Sequence, residues 1–216
     1  MTVFKPRRRE DLVQRLARMN LNLPSFEQAL ARGDAEAASY STAAPAGAAE
    51  YARWARTVEE LHEGLMFLQQ GWERVSPDPL NQPTWINPKS RTAVVVSSGD
   101  ENTGELTFRE PSNRNPKGKS FGALVSANEQ KSFFDAVSES GAMVDINETW
   151  VFLYDARNGF VYSELSVPII MPSSYIETWR ERILFPSFDP RASAFEGGGA
   201  QDDAPDQDFS FTIGRR

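Results

Sequence analysis

The sequence predicts an α+β fold: a mostly antiparallel sheet built from two β-hairpins, packed by N-terminal and C-terminal helices, with a flexible acidic C-terminal tail. Three observations carry that prediction. Residues 48–75 hold the strongest periodic signal, with Trp54, Val58, Leu61, Leu65, Leu68 and Trp72 stepping by four and three, the spacing of one helix face. Residues 149–168 read as two strands around Asn158-Gly159, a dipeptide favoured in two-residue hairpin turns. Residues 92–97 are β-branched and apolar throughout, which suits a strand.

The elements follow in order. Leu12, Leu16 and Met19 form a helix stripe within residues 7–32, with Arg15 and Arg18 beside it, and the run Asn20-Leu21-Asn22-Leu23-Pro24 breaks that helix. Ser25, with Gln28 three residues on, suits the capping box of a short second helix that ends near Gly33. Residues 34–49, Ala-dominated and punctuated by Pro45 and Gly47, read as a surface linker. The Trp54–Trp72 stripe lies on one long helix or on a bent pair, because Thr57 and Glu60 spell a second capping box. A core helix laid on a sheet accounts for the stripe. A helix-mediated dimer is the alternative, and the stripe is short for a coiled coil.

Pro77, Pro79, Pro83 and Pro88 make 76–91 a proline-rich connection, with Trp85-Ile86 as a short edge strand. Residues 92–97 then turn through the acidic, Gly-bearing stretch 98–104 and return over 105–109 as the first hairpin. A basic loop at 110–122 leads to a helix over 123–138, closed by Gly141. In the second hairpin Trp150, Phe152 and Tyr154 share one face and Val151 and Leu153 the other. Both faces are apolar, so this strand is expected to be central and covered on both sides. Ser173-Ser174 suit the cap of a last helix over 175–184, where Tyr175, Trp179 and Ile183 step by four, and Pro186 stops it. The expected organisation is an N-terminal helical segment at 1–33, a linker at 34–49, a core domain at 50–186 and an acidic tail at 187–216.

Composition narrows the chemistry. With no cysteine there is no disulfide framework and no thiolate site, and with one histidine there is no multi-histidine metal centre. No cofactor or metal is expected. The basic start (Lys5, Arg7, Arg8, Arg9) runs into Glu10-Asp11 rather than an apolar stretch, unlike a secretory signal. No run approaches the roughly 18 apolar residues of a membrane span, so the expected setting is cytoplasmic with no membrane partner. Net charge −7 speaks against a general nucleic-acid binder. The charge is segregated: +4 over residues 1–18 and +3 over 109–119, against −4 over 33–64 and −3 over 189–216.

Four groups of residues are candidate sites. Arg109, Arg114, Lys117 and Lys119 form a basic loop suited to an anion, a nucleic-acid backbone or an acidic protein surface; a solvated loop is the plainer reading. Lys117-Gly118-Lys119-Ser120 resembles a phosphate loop, but Asn113 stands where the first glycine belongs and Pro116 removes an amide donor. Asp100, Glu129 and Lys131 supply the residue types of a Mg²⁺-dependent nuclease, although Glu129 and Lys131 fall on different faces of the expected helix. His62 reads as a satisfied surface histidine. Finally, the tail carries a Gly197–Gly199 hinge, then Asp202, Asp203, Asp206 and Asp208, then the alternating Phe209, Phe211 and Ile213 before Arg215. Such a segment is a docking motif that adds a strand to its own sheet, to a second copy or to a partner, or docks by charge on the basic loop; a tail without a role is the plainer reading. Together these point to a non-enzymatic interaction protein, a regulatory accessory subunit with a protein partner or self-association. The alternative is a nucleic-acid-binding protein or Mg²⁺-dependent nuclease.

Overall fold

The computed structural model describes residues 1–75, 82–130, 134–137 and 143–192. Three helices form early: α1 (Arg9–Ala17), α2 (Leu23–Ala38) and α3 (Ala48–Phe67), preceded by β1 (Thr2–Phe4). Then come β2 (Glu73–Arg74), β3 (Thr84–Asn87), β4 (Thr92–Ser98), α4 (Lys119–Gln130), β5 (Phe134–Val137), β6 (Met143–Ile146), β7 (Glu148–Arg157), β8 (Phe160–Ile170) and β9 (Thr178–Leu184). The α+β class holds. Its main sheet is mixed, with order β1-β9-β8-β7-β4-β3-β2, and β5 and β6 pair separately.

Helices cover both faces of this sheet. Val94, Val96, Trp150 and Phe152 join Leu12, Leu16, Phe26, Leu61 and Leu65 in one core cluster beneath α1–α3. Val95, Val151, Leu153 and Trp179 pack with Phe121, Leu124 and Val125 of α4 on the other. Alternate residues of β4 and β7 thus serve two cores, as expected for β7, which lies at the centre of the seven strands. Its hairpin to β8 turns where expected, with Asn158 at φ 54° and Gly159 at φ 80°.

The first expected hairpin is corrected. β4 does not return over 105–109. It pairs antiparallel with β3 through the turn at 88–91, and parallel with β7 on its other side. The Asn87 side chain builds that turn, accepting from the Lys89 and Ser90 amides at 3.2 Å. Trp85-Ile86 is accordingly not the edge, because β2 pairs beyond it. A strand apolar on both faces needs a covered interior position, which β3 and β7 supply and a solvent-facing hairpin would not.

The expected helix over 175–184 is also corrected, to strand β9. Trp179 and Ile183 step by four, as a helix stripe would, yet they bury on opposite faces of the sheet. A bulge explains this: Val167 faces Glu181 while Pro168 faces Trp179, so β9 holds an extra residue and its faces exchange. The charged run Arg180-Glu181-Arg182 imitates an amphipathic helix, but each member is drawn to a different element. Arg180 pairs with Glu148, Glu181 with Arg15 and Arg182 with Glu164.

Smaller differences concern the helices. Asn22, not Ser25, caps α2, and its side chain accepts from the Ser25 amide at 2.9 Å. The helix passes Gly33 and runs to Ala38. α3 is one continuous helix, since Thr57 donates to the Arg53 carbonyl one turn back instead of capping. Val58, Leu61 and Leu65 are buried, so the stripe is a core stripe, and it ends on Trp72, which donates to the Asn20 carbonyl at 2.7 Å. α4 begins and ends earlier than the expected 123–138, giving way to β5.

Gly33 and Gly64 mark where α2 and α3 cross. A Cβ at Gly33 would lie 2.7 Å from the Arg53 carbonyl oxygen and nearer still to the Thr57 hydroxyl, while one at Gly64 would meet Ser25 at 2.7 Å. Gly122 on α4 has open space around it. Gly33→Ala should therefore lower the unfolding free energy in urea by about 1–3 kcal/mol through overpacking, whereas Gly122→Ala should raise it by up to about 1 kcal/mol through helix propensity. Equal responses at the two positions would contradict this packing.

Candidate functional site

Strand direction gathers the loops of interest. β1 runs parallel to β9, and β4 parallel to β7, while β7 and β9 both run antiparallel to β8. Thus β1, β4, β7 and β9 end at the same sheet edge. There stand the segment after Phe4, the long loop 99–118, the turn at 158–159 and the segment after Leu184.

A buried ion pair organises this edge. Glu164 on β8 and Arg182 on β9 are both within 2% of full burial. Arg182 Nε and Nη2 reach the two carboxylate oxygens at 2.9 and 2.5 Å. The Ser166 hydroxyl donates to the same carboxylate at 2.7 Å, and the Gly104 amide at 2.8 Å. Arg182 also donates to the Glu105 carbonyl at 3.1 Å. Two buried charges thereby satisfy each other and hold the 104–105 backbone against β8. The fit is close, for a Cβ at Gly104 would lie 2.8 Å from the Ser163 amide nitrogen, and its φ of 74° favours glycine.

Beside it lies a second network. Asp155, 2% exposed, takes Arg114 and Arg157 together. Arg157 continues to Glu105 at 3.0 Å and lies 3.6 Å from the centre of the Tyr162 ring. Arg114 also approaches Glu50 of α3 at 3.6 Å, and Glu50 in turn pairs with Arg53 at 2.6 Å.

These networks settle where the candidate loop residues stand. Arg114 is held by Asp155 and Glu50. Lys117 is half-buried, 5.5 Å from the centre of the Phe121 ring, with Gln82 Oε1 at 3.3 Å. Burial lowers its ammonium to about 8. Only Arg109 and Lys119 remain exposed without an ion pair among the described residues. The four cations of the basic loop therefore do not form one patch.

Nor are Asp100 and Glu129 brought together. Asp100 follows β4, and its carboxylate accepts from the Asn102 amide at 3.0 Å; burial raises its proton affinity. Glu129 sits on the last turn of α4, next to Asn128, which is bonded to Thr149 at the start of β7. Gly99 bonds instead to Tyr154, five residues further along β7, or about 17 Å at the usual strand rise. The two carboxylates thus lie at opposite edges of the sheet. Lys131 lies outside the described residues, as do Phe209, Phe211, Ile213 and Arg215. Among the described residues no three His, Asp or Glu side chains are grouped to hold a metal ion, and no helix is long and apolar enough to cross a membrane. His62 has a structural partner, its Nδ1 accepting from the Trp85 indole at 3.1 Å.

What sequence reasoning passed over is the N-terminal segment. A groove of about 610 Å³ is lined by residues 5–9, by Gly104, Glu105, Leu106 and Tyr162, and by residues 184–187. A second groove, of about 340 Å³, shares Lys5, Pro6 and Arg7 and adds Arg15 and Arg18. Several of these cations are occupied: Arg8 pairs with Asp11, Arg9 with Glu27 at 2.5 Å and Arg15 with Glu181 at 2.6 Å. Lys5, Arg7 and Arg18 have no ion-pair partner among the described residues. Leu106 lines the groove more than half exposed, and Phe108, two residues on, is fully exposed. The signal that could have found this site is the +4 charge of residues 1–18.

Comparison with known protein families, with curated proteins and with solved structures finds no match for this chain.

Lys117 supplies a pH test of that geometry. Between pH 8 and the ordinary lysine value of 10.5, the folded protein holds fewer protons than the unfolded chain, so stability rises with pH. Above about pH 10 the sign reverses for Tyr154, whose phenol is pushed up by burial and keeps its proton longer when folded. Urea midpoints measured from pH 7.5 to 10 should rise in the wild type and flatten in Lys117→Met. An identical profile in both proteins would contradict a desolvated Lys117.

Proposed function

We propose that this protein is a non-enzymatic interaction subunit, and that the groove between residues 5–9 and 104–106 is the face that takes its partner. The partner's recognised segment is acidic and carries apolar side chains. One observation carries the reading: Lys5 and Arg7, without an ion pair among the described residues, line a concave surface together with the exposed Leu106, and Arg18 lines the second groove that shares them. Cations left unpaired while Arg8, Arg9 and Arg15 are each matched to a carboxylate are available to an external anion. Exposed Leu106 and Phe108 add apolar area that a phosphate backbone would not use.

Nucleic acid is the second reading, on the same free cations. It is weaker because Arg114 and Lys117, the central members of the basic loop, are engaged within the molecule.

Fluorescence anisotropy on the full chain tests this, with a labelled decapeptide of alternating Asp and Phe and a labelled single-stranded DNA of twenty nucleotides as probes. The peptide should bind at low salt, weaken as salt rises, and lose at least about tenfold in affinity in Lys5→Glu/Arg7→Glu. Tighter binding of the DNA, or peptide affinity untouched by the charge reversal, would overturn the reading.

A further inference from the structure

We infer that the groove is occupied in cis by residues 202–211 of the same chain, so that the protein masks its own partner site. The inference rests on the reading of the groove as a binding face for acidic segments.

Charge gives the first argument. Residues 202–208 carry four aspartates and no cation, the densest negative stretch in the chain, and Lys5 and Arg7 of the groove, without an ion pair among the described residues, are its counterpart. Apolar pattern gives the second. Phe209 and Phe211 follow the aspartates directly, as exposed Leu106 lines the groove with Lys5 and Arg7. An acidic segment with aromatic side chains is the ligand chemistry the groove asks for, and this chain carries one.

The point of attachment gives the third. Ser187 lines the groove, and Phe188 is locked beside it, exchanging backbone hydrogen bonds with Val161 at 2.9 and 3.2 Å. The described chain ends four residues later, at Ala192. Nine residues lie between Ala192 and Asp202, ten Cα steps with a reach of up to about 35 Å fully extended. Tethered so near, the segment is present at an effective concentration in the millimolar range. Intrinsic affinity of only about 100 μM then leaves the groove filled roughly nine-tenths of the time, and an external partner meets a site weakened about tenfold.

The test titrates full-length proteins, from micromolar to about millimolar concentration, against a trace of labelled peptide of residues 200–213. Three chains are compared by anisotropy: the wild type, the tail variant Asp202→Asn/Asp203→Asn/Asp206→Asn/Asp208→Asn, and the groove variant Lys5→Glu/Arg7→Glu. The tail variant should bind the peptide about tenfold more tightly than the wild type, and the groove variant should bind least. Equal binding by wild type and tail variant, with binding lost in the groove variant, would overturn self-masking while leaving the groove as a site. Failure of the tail variant to bind, or binding by it that persists when Lys5→Glu/Arg7→Glu is added, would overturn the groove itself. Masking that appears only as the wild-type concentration is raised would assign the tail to a second copy and overturn the cis arrangement.

Discussion

The edge of the sheet that carries the N-terminal groove depends on one interaction, the buried pair of Glu164 and Arg182. Two ionised groups withdrawn from water cost several kcal/mol each unless their hydrogen bonds are met, and here the carboxylate takes Arg182 twice, Ser166 and the Gly104 amide. Removing one partner of such a pair costs about 3–5 kcal/mol, so the 104–105 backbone is drawn into a site it cannot leave without stranding a charge. Gly104 fits because it has no Cβ to meet Ser163. The loop's position, and with it the side of the groove bearing Leu106, follows from charge satisfaction within β8 and β9 rather than from the loop's own sequence.

The same accounting of charges separates structure from function across this edge. Asp155 takes up Arg114 and Arg157, Glu27 takes up Arg9 and Glu181 takes up Arg15. Each carboxylate cancels a cation that the sequence alone would count as available to a partner. Lys5 and Arg7 keep no ion pair among the described residues, on a segment positioned by three parallel pairs between β1 and β9. A short edge strand thus converts a basic N-terminus into one wall of a groove.

Much of the fold was legible, and the misses have specific causes. The Asn158-Gly159 turn, the central β7 with two apolar faces and the core stripe of α3 were readable because each depends on local spacing or turn chemistry. The partner of β4 was not, because parallel pairing with β7 joins residues more than fifty positions apart and leaves no local mark. β9 was misread because its bulge places Trp179 and Ile183 on opposite faces and so breaks the two-residue alternation of a strand, and because Arg180, Glu181 and Arg182 owe their places to three distant carboxylates or guanidinium groups. For the candidate site, the basic loop was visible as composition, but Asp155 and Glu50, which occupy Arg114, come from other elements. The N-terminal groove was visible only as net charge.

Amide hydrogen exchange at Gly104 tests most directly whether the Glu164–Arg182 pair holds this edge together. In the wild type the Gly104 amide should exchange slowly, together with the Val151 and Leu153 amides in the centre of the sheet. In Arg182→Met the unpaired Glu164 should draw in water, and Gly104 should exchange many times faster while Val151 and Leu153 stay slow. Gly104 protection unchanged by the substitution, or wild-type Gly104 exchanging as fast as an exposed amide, would contradict the account.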